Sequence, residues 1–300
     1  MTGWSMALAA ALTWGLSGFL GGHTCRRIGV TPLLVVTQVS GLSVLLLVTV
    51  VLWANGDPPD PGLWRQAAPW AVVAGAAELV GFTALYCAMS SGPMGIAAPV
   101  AGLGVLVPVL FGLLTGVDPT SWQLCGLGLA TAGLALLAAD RGAATGRTVA
   151  AAVAAGVGFG VALVALAQAA QLDELAAGTL VKATTAPLVL AVWLVRRRRG
   201  AAIRPGAALG GPTGSRSGRW IGALPWVVAG IVAGGLDAVG NLFFALASTR
   251  TSLPAAAMIG SSDPVVTALL ARWWIGERLS GRARCGTVAT VVGAAVVSLG

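Results

Sequence analysis

Long apolar stretches dominate the pattern along this chain, and short polar or Pro- and Gly-rich segments separate them. Ten of these stretches reach the roughly 18–25 residues that an α-helix needs to cross a bilayer. They predict membrane-spanning helices at 4–22, 31–53, 66–91, 94–116, 121–139, 148–170, 175–195, 220–247, 253–275 and 281–299. Segments such as Asn55-Gly56 and Ser91-Gly92-Pro93 carry turn signals that end a helical pattern. The predicted fold class is therefore an all-α integral membrane protein with ten transmembrane helices.

The apolar pattern occurs twice, with an acidic residue interrupting it at the same place each time. Glu78 and Asp237 lie 159 positions apart (237 − 78), and several glycines near them share that offset. In the second predicted helix of each half, Gln38 matches Lys182 at an offset of 144 (182 − 38). An acid in the hydrocarbon core costs about 2.5–3.5 kcal/mol on insertion scales, so such residues usually face a partner or a water-filled path. The pattern favours a carrier built from duplicated halves.

The two repeats are predicted at 1–141 and 142–300, and the second contains a basic loop at 196–219. Each repeat has five predicted helices. Because five is an odd number, the two repeats enter the membrane in opposite orientations, which is an inverted-repeat architecture.

Composition excludes a soluble domain and narrows the partners. Hydrophobic residues make up 57% of the chain and charged residues 9%, with a mean hydropathy of +0.88, whereas globular domains carry about 25% charged residues. The net charge of +8 comes from arginine clusters between apolar stretches, where lipid headgroups and the positive-inside rule explain it. We therefore predict a multi-pass protein of the cell membrane, with the lipid bilayer and not nucleic acid as its partner.

Metal and cofactor chemistry is not indicated. The four cysteines form no CxxC pair, and His23 is the only histidine. No P-loop, HExxH or GxSxG motif is present, so neither an ATP-driven motor nor a common hydrolase site is predicted. No cofactor is expected, and the chain is not expected to be an enzyme.

Several motifs of the second half form a recognisable signature. They are Phe243-Phe244-Ala245-Leu246-Ala247, Leu253-Pro254, Asp263-Pro264-Val265-Val266 and Ile275-Gly276-Glu277-Arg278-Leu279. The first half matches more loosely, with Val105 in place of Pro264 and Asp118 in place of Glu277. These motifs resemble the EamA family of the drug/metabolite transporter superfamily. The resemblance implies a ten-helix carrier that moves small metabolites by alternating access, and several members of the family export amino acids or other organic solutes.

Five polar residues are predicted to line a central cavity. Glu78, Asp237 and Asn241 lie in the third helix of each half, and Gln38 and Lys182 lie in the second, where the family often has an arginine. Asn241 follows Asp237 by one helical turn and points the same way. The acids would bind cationic groups or a coupling proton, and Lys182 would neutralise an acid or contact a substrate carboxylate. A fixed ion pair between Lys182 and Asp237 is the structural alternative.

Three further residues are candidates for the solute path. Asp263 lies in Ser261-Ser262-Asp263-Pro264, where the proline frees a backbone carbonyl and predicts a break or kink. It either lines the path or caps that kink. Trp14 and Tyr86 could stack on a substrate. An amino acid or other zwitterion would suit a cavity with one base and several acids.

Other features leave alternatives open. Asp118 and Glu277 end the fourth predicted helices, where fold closure is favoured over gating. The small-residue motifs Gly18-x-x-x-Gly22, Gly156-x-x-x-Gly160 and Gly230-x-x-x-Gly234 favour packing within the chain over a homodimer. The arginine count predicts both termini outside the cell, whereas the resemblance implies cytoplasmic termini. The leading prediction is a carrier that exports or exchanges solutes. The alternatives are a membrane scaffold or regulatory subunit and, less favourably, an intramembrane enzyme.

Overall fold

The computed structural model describes residues 2–92, 94–116, 120–138, 145–198, 216–276 and 280–299, and within these ranges the chain is helical with no β-strand. Twelve α-helices are described: α1 Gly3–Ile28, α2 Val30–Ala54, α3 Pro61–Ser91, α4 Met94–Gly102, α5 Leu106–Leu114, α6 Ser121–Ala138, α7 Gly146–Ala170, α8 Glu174–Arg198, α9 Arg216–Ser248, α10 Leu253–Gly260, α11 Asp263–Leu270 and α12 Gly281–Leu299. The prediction of an all-α membrane protein is confirmed as to its helical class and its membrane-spanning helices.

Eight segments of the described chain are long and apolar enough to cross a membrane. They are α1, α2, α3, the pair α4 and α5, α7, α8, the part of α9 at Leu224–Ser248, and the segment Leu253–Trp274 that begins with α10. The other two predicted spans are present as the helices α6 and α12, of 18 and 19 residues. Neither is among the eight candidates, so the structure supports eight spans and does not confirm ten.

The connection between α1 and α2 is much shorter than the sequence predicted. Helix α1 continues to Ile28, and α2 begins at Val30, so that Gly29 alone joins them. Gly29 has a φ of 86°, a left-handed conformation that glycine adopts without the steric cost of a side chain. This glycine lets the two helices reverse direction within one residue.

Both predicted fourth helices are interrupted near their midpoints. The predicted break in the second half is present: α10 ends at Gly260 and α11 begins at Asp263. The prediction of one continuous helix over 94–116 was wrong, because a 3₁₀ turn at Leu103–Val105 separates α4 from α5. The offset of 159 places this turn at the position equivalent to the break in the second half, since residue 104 corresponds to Asp263.

The halves pack against each other through reciprocal helix pairs. Helix α1 lies mainly against α9, and α7 lies mainly against α3, so the first helix of each half packs on the third helix of the other. Helices α6 and α12, the fifth of each half, pair with each other. Small residues allow this close approach; a Cβ atom added at Gly158 of α7 would lie 2.8 Å from the backbone nitrogen of Gly81 in α3.

The small-residue motifs pack within the chain. Gly18 faces Thr267, and Gly156 faces the backbone of Ala101 and Gly104. Gly234 lies against the backbone carbonyl of Thr37. Because these faces are occupied, a homodimer would need another surface. The outward faces are apolar, with Leu47, Val80 and Leu188 among the exposed residues, as expected of surface that contacts lipid.

Replacing Gly158 by alanine tests this packing. The added methyl group would press on the backbone of α3, which cannot rotate away as a side chain can, so we expect a loss of about 1–3 kcal/mol in unfolding free energy. Gly128 of α6 is the matched control, because a Cβ there would meet no atom within 4 Å. Thermal unfolding of the two purified variants measures the difference. An equal effect of Gly158→Ala and Gly128→Ala would contradict the packing described here.

Candidate functional site

A buried ionic cluster joins the two halves within the interiors of their helices. Lys182 of α8, the only lysine in the chain, donates hydrogen bonds to Glu78 Oε1 on α3 and Asp237 Oδ2 on α9. Its third donor contact is with Gln38 Oε1 on α2, at 3.3 Å from Nζ. Lys182 has no exposed surface, and Glu78 and Asp237 are 5% and 4% exposed. All three donors of the ammonium group are therefore satisfied.

The members of the cluster are related by the sequence repeat. Gln38 and Lys182 occupy equivalent positions, and so do Glu78 and Asp237. Equivalent residues of two symmetry-related halves can meet only close to the axis between them. The contacts of Lys182 with Glu78, Asp237 and Gln38 therefore place the cluster near the pseudo-twofold axis, with one lysine serving both acids.

Neighbouring polar groups orient the cluster. The Thr185 hydroxyl donates to Gln38 Oε1 at 2.8 Å, which holds the amide oxygen toward Lys182. The second carboxylate oxygen of Glu78 accepts a hydrogen bond from Asn241 Nδ2 at 3.3 Å. The indole nitrogen of Trp14 donates to Asn241 Oδ1 at 3.0 Å. A hydrogen-bonded chain thus runs from the ionic cluster to Trp14.

A cavity of about 100 Å³ lies beside the cluster. One water molecule needs about 10–15 Å³ of such space, so the cavity is several times larger than a site for a single water. It has room for several waters or a small organic solute. Its polar lining residues are Trp14, Ser17, Glu78, Asp237, Asn241, Ser261, Asp263 and Thr267. The remaining lining residues are apolar or glycine, and they include Phe82, Phe159 and Leu163. Both interrupted helices reach the cavity, through Gly104 and Asp263.

Five of the eight predicted site residues line this cavity: Trp14, Glu78, Asp237, Asn241 and Asp263. The expectation that Gln38 and Lys182 also line it needs correction, because both lie behind the two acids. Lys182 therefore neutralises acids and does not reach a solute carboxylate in this conformation. Whether these residues bind substrate or protons stays a prediction.

The prediction that Tyr86 stacks on a solute does not agree with its position. Tyr86 is 1% exposed and is not part of the cavity lining. Its ring packs against Phe82, with 5.5 Å between the ring centroids. Tyr86 thus supports the aromatic wall from behind. Asp118 and Glu277, the predicted helix-ending acids, lie outside the described residues.

Two aromatic lining residues were missed by sequence reasoning. Phe82 and Phe159 both face the cavity, and their rings form an edge-to-face pair with 5.0 Å between centroids. The repeat could have identified both, because Phe82 is equivalent to Asn241 (241 − 159) and Phe159 to Trp14 (14 + 145). Equivalent positions thus contribute to one cavity even where the residue types differ.

Comparison with known proteins agrees with this architecture. The family model described as the EamA-like transporter family matches the chain twice, over residues 1–139 and 146–299. A solved crystal structure that is 23% identical superposes with a TM-score of 0.67 and covers 99% of this chain and 96% of its own; at this identity the likeness concerns the fold alone. No curated protein matches the sequence.

The fold and the family match define a multi-pass membrane transporter of the drug/metabolite transporter superfamily. The chain belongs to the EamA-like transporter family.

Removing Lys182 tests the energetics of the cluster. Lys182→Met leaves Glu78 and Asp237 facing each other without a cation, and breaking a buried ion pair in this way typically costs about 3–5 kcal/mol. We expect a matching loss of unfolding free energy in purified protein. The charge-free triple variant, Lys182→Met with Glu78→Gln and Asp237→Asn, should recover part of the loss. A triple variant no more stable than the single variant would contradict this assignment.

Proposed function

We propose that this protein is a secondary carrier that moves small organic metabolites across the cell membrane by alternating access. Its ten spans form two inverted five-helix repeats, divided between residues 141 and 142, and the solute binds between them. The family resemblance favours export or exchange as the direction of transport. It favours amino acids and related solutes as the solute class.

The observation that carries this proposal is the position of the cavity. Both halves line it, with α1, α3 and the α4–α5 segment from the first and α7, α8, α9 and α11 from the second. A site between two repeats near the membrane midplane can be opened to either side by rocking one repeat against the other. The helix interruptions at Leu103–Val105 and after Gly260 give each repeat a point at which it can bend.

The ionic cluster supplies a means of coupling. With all three groups ionised, Lys182 offsets only one of the two negative charges of Glu78 and Asp237. The remaining charge favours uptake of a proton or a cationic group by an acid that lines the cavity, whereas Lys182 is withheld from the cavity. Competition between a proton and a solute for the same carboxylate would link their movements in opposite directions, as in a proton-coupled exchanger.

One observation favours a different function. The three donors of Lys182 are all satisfied, and a fully satisfied ionic cluster could simply hold the helices of a membrane scaffold or regulatory subunit together. Such a protein would not need a cavity lined by acidic residues. Solute flux through the purified protein distinguishes the two functions.

The test uses proteoliposomes that contain a lumenal pH dye. We expect addition of a transported solute, from a panel of amines, amino acids and small organic acids, to drive proton movement. Glu78→Gln/Asp237→Asn should abolish that signal, because neither acid can then exchange a proton. Asp57→Asn, which alters an exposed acid outside the cavity, should leave it unchanged.

Two outcomes would count against the proposal. Absence of flux for every solute in the panel would contradict a carrier of these metabolites. Labelled solute that still crosses without a proton signal would retain the carrier and remove the coupling role of Glu78 and Asp237. The double variant Glu78→Gln/Asp237→Asn leaves Lys182 without an acidic partner. If it does not fold, the same flux assay is made with the charge-free triple variant, which also carries Lys182→Met.

A further inference from the structure

We propose that the cavity selects small organic amines, molecules with an ammonium group, an apolar body and no carboxylate. This inference rests on the proposed carrier function and, among small organic metabolites, assigns amines as the substrate class in place of the amino acids that the family resemblance favours.

The first reason is the sign of the charges that face the cavity. Glu78, Asp237 and Asp263 line it, and no described lining residue carries a positive charge. Lys182 is fully buried behind two of these acids, and its three donors are already used. A solute carboxylate would therefore meet other carboxylates and no cation, whereas an ammonium group would meet complementary charge.

The second reason is the way the helix interruption ends. The N-terminus of a helix carries a partial positive charge and exposed N–H groups that can hold an anion. In α11, however, Asp263 itself occupies the first helical position, and the next residue, Pro264, has no N–H group to donate. Asp263 therefore already occupies the position at which this helix N-terminus would stabilise an anion. The helix end does not offer a site for a solute carboxylate.

The third reason is that Asp263 has no cationic partner among the residues that the structure describes. Within the described part of the chain, the ion pairs join Lys182 to Glu78 and Asp237, and Arg250 to Glu174. Asp263 is in none of them. A charged carboxylate without a partner in a membrane interior is costly, and an ammonium group bound beside Asp263 would offset that cost.

The fourth reason is the apolar and aromatic lining that shares the cavity with these acids. Trp14, Phe82 and Phe159 line the cavity together with Leu163 and Leu166. Such side chains favour an apolar body, and aromatic rings also attract an ammonium group through their faces. The volume of about 100 Å³ restricts the solute to a small one.

The experiment compares three probes that share one aromatic ring: phenethylamine, phenylalanine and 3-phenylpropionate. They carry an ammonium group, both charges and a carboxylate, respectively. Binding to the full-length protein in nanodiscs is measured by isothermal titration calorimetry. We expect phenethylamine to bind roughly tenfold or more tightly than phenylalanine, and 3-phenylpropionate to show no binding, because only the amine avoids placing a carboxylate among acids.

Variants at Asp263 identify the group responsible. Asp263→Asn should weaken phenethylamine binding by roughly tenfold, since it removes a charge-assisted contact. Asp263→Glu keeps the charge and should retain most of the affinity. Asp57→Asn, in an exposed segment, is the control and should bind like the wild type. Thermal unfolding of each variant distinguishes loss of binding from loss of fold.

Each outcome decides the inference. Phenylalanine binding as tightly as phenethylamine, no binding by any probe, or full affinity in a folded Asp263→Asn variant would overturn it. Flux of the same probes in proteoliposomes distinguishes a failure of the amine selectivity from a failure of the carrier proposal. Transport of phenylalanine but not of phenethylamine would overturn the amine selectivity alone. Binding of phenethylamine with no flux of any solute would support the amine site and contradict the carrier.

Discussion

A single lysine shared between two buried acids is the interaction on which the rest of this structure depends. Lys182 contacts Glu78 of one half and Asp237 of the other, so the helices α3, α8 and α9 must meet at one point. Charges in a membrane interior are tolerated when they are paired or face a polar cavity. This requirement brings helices of the two halves close together, and the glycines and alanines at the surrounding contacts allow that approach.

The same cluster creates an asymmetry between the halves. The repeat supplies two equivalent acids, but it supplies one lysine and one glutamine at the matching positions of α2 and α8. Two lysines would place like charges side by side near the pseudo-twofold axis. With Lys182 and Gln38, the pair forms a hydrogen bond instead, at 3.3 Å. When all three groups are ionised, one negative charge is not offset by Lys182, and the two acids that share it line the cavity.

The sequence was sufficient for the features that a costly acid or a proline marks. Glu78 and Asp237 were identifiable because an acid in an apolar stretch is costly. The break before Asp263 was identifiable because a proline follows this acid and two serines precede it. The interruption at Leu103–Val105 was missed because its segment has no acid or Ser-Pro signal, although the repeat offset pointed to it. The burial of Lys182 behind the acids, and of Tyr86 behind Phe82, depends on how helices from distant parts of the chain rotate, which residue spacing does not specify.

The central claim is that solutes cross through the cavity between the halves, beside Glu78, Asp237 and Asp263. The most direct measurement is an experimental structure of the protein with a transported solute bound. We expect solute density in this cavity, with a polar atom of the solute within hydrogen-bond distance of at least one of the three carboxylates. Density elsewhere, with this cavity holding only water or collapsed, would contradict it.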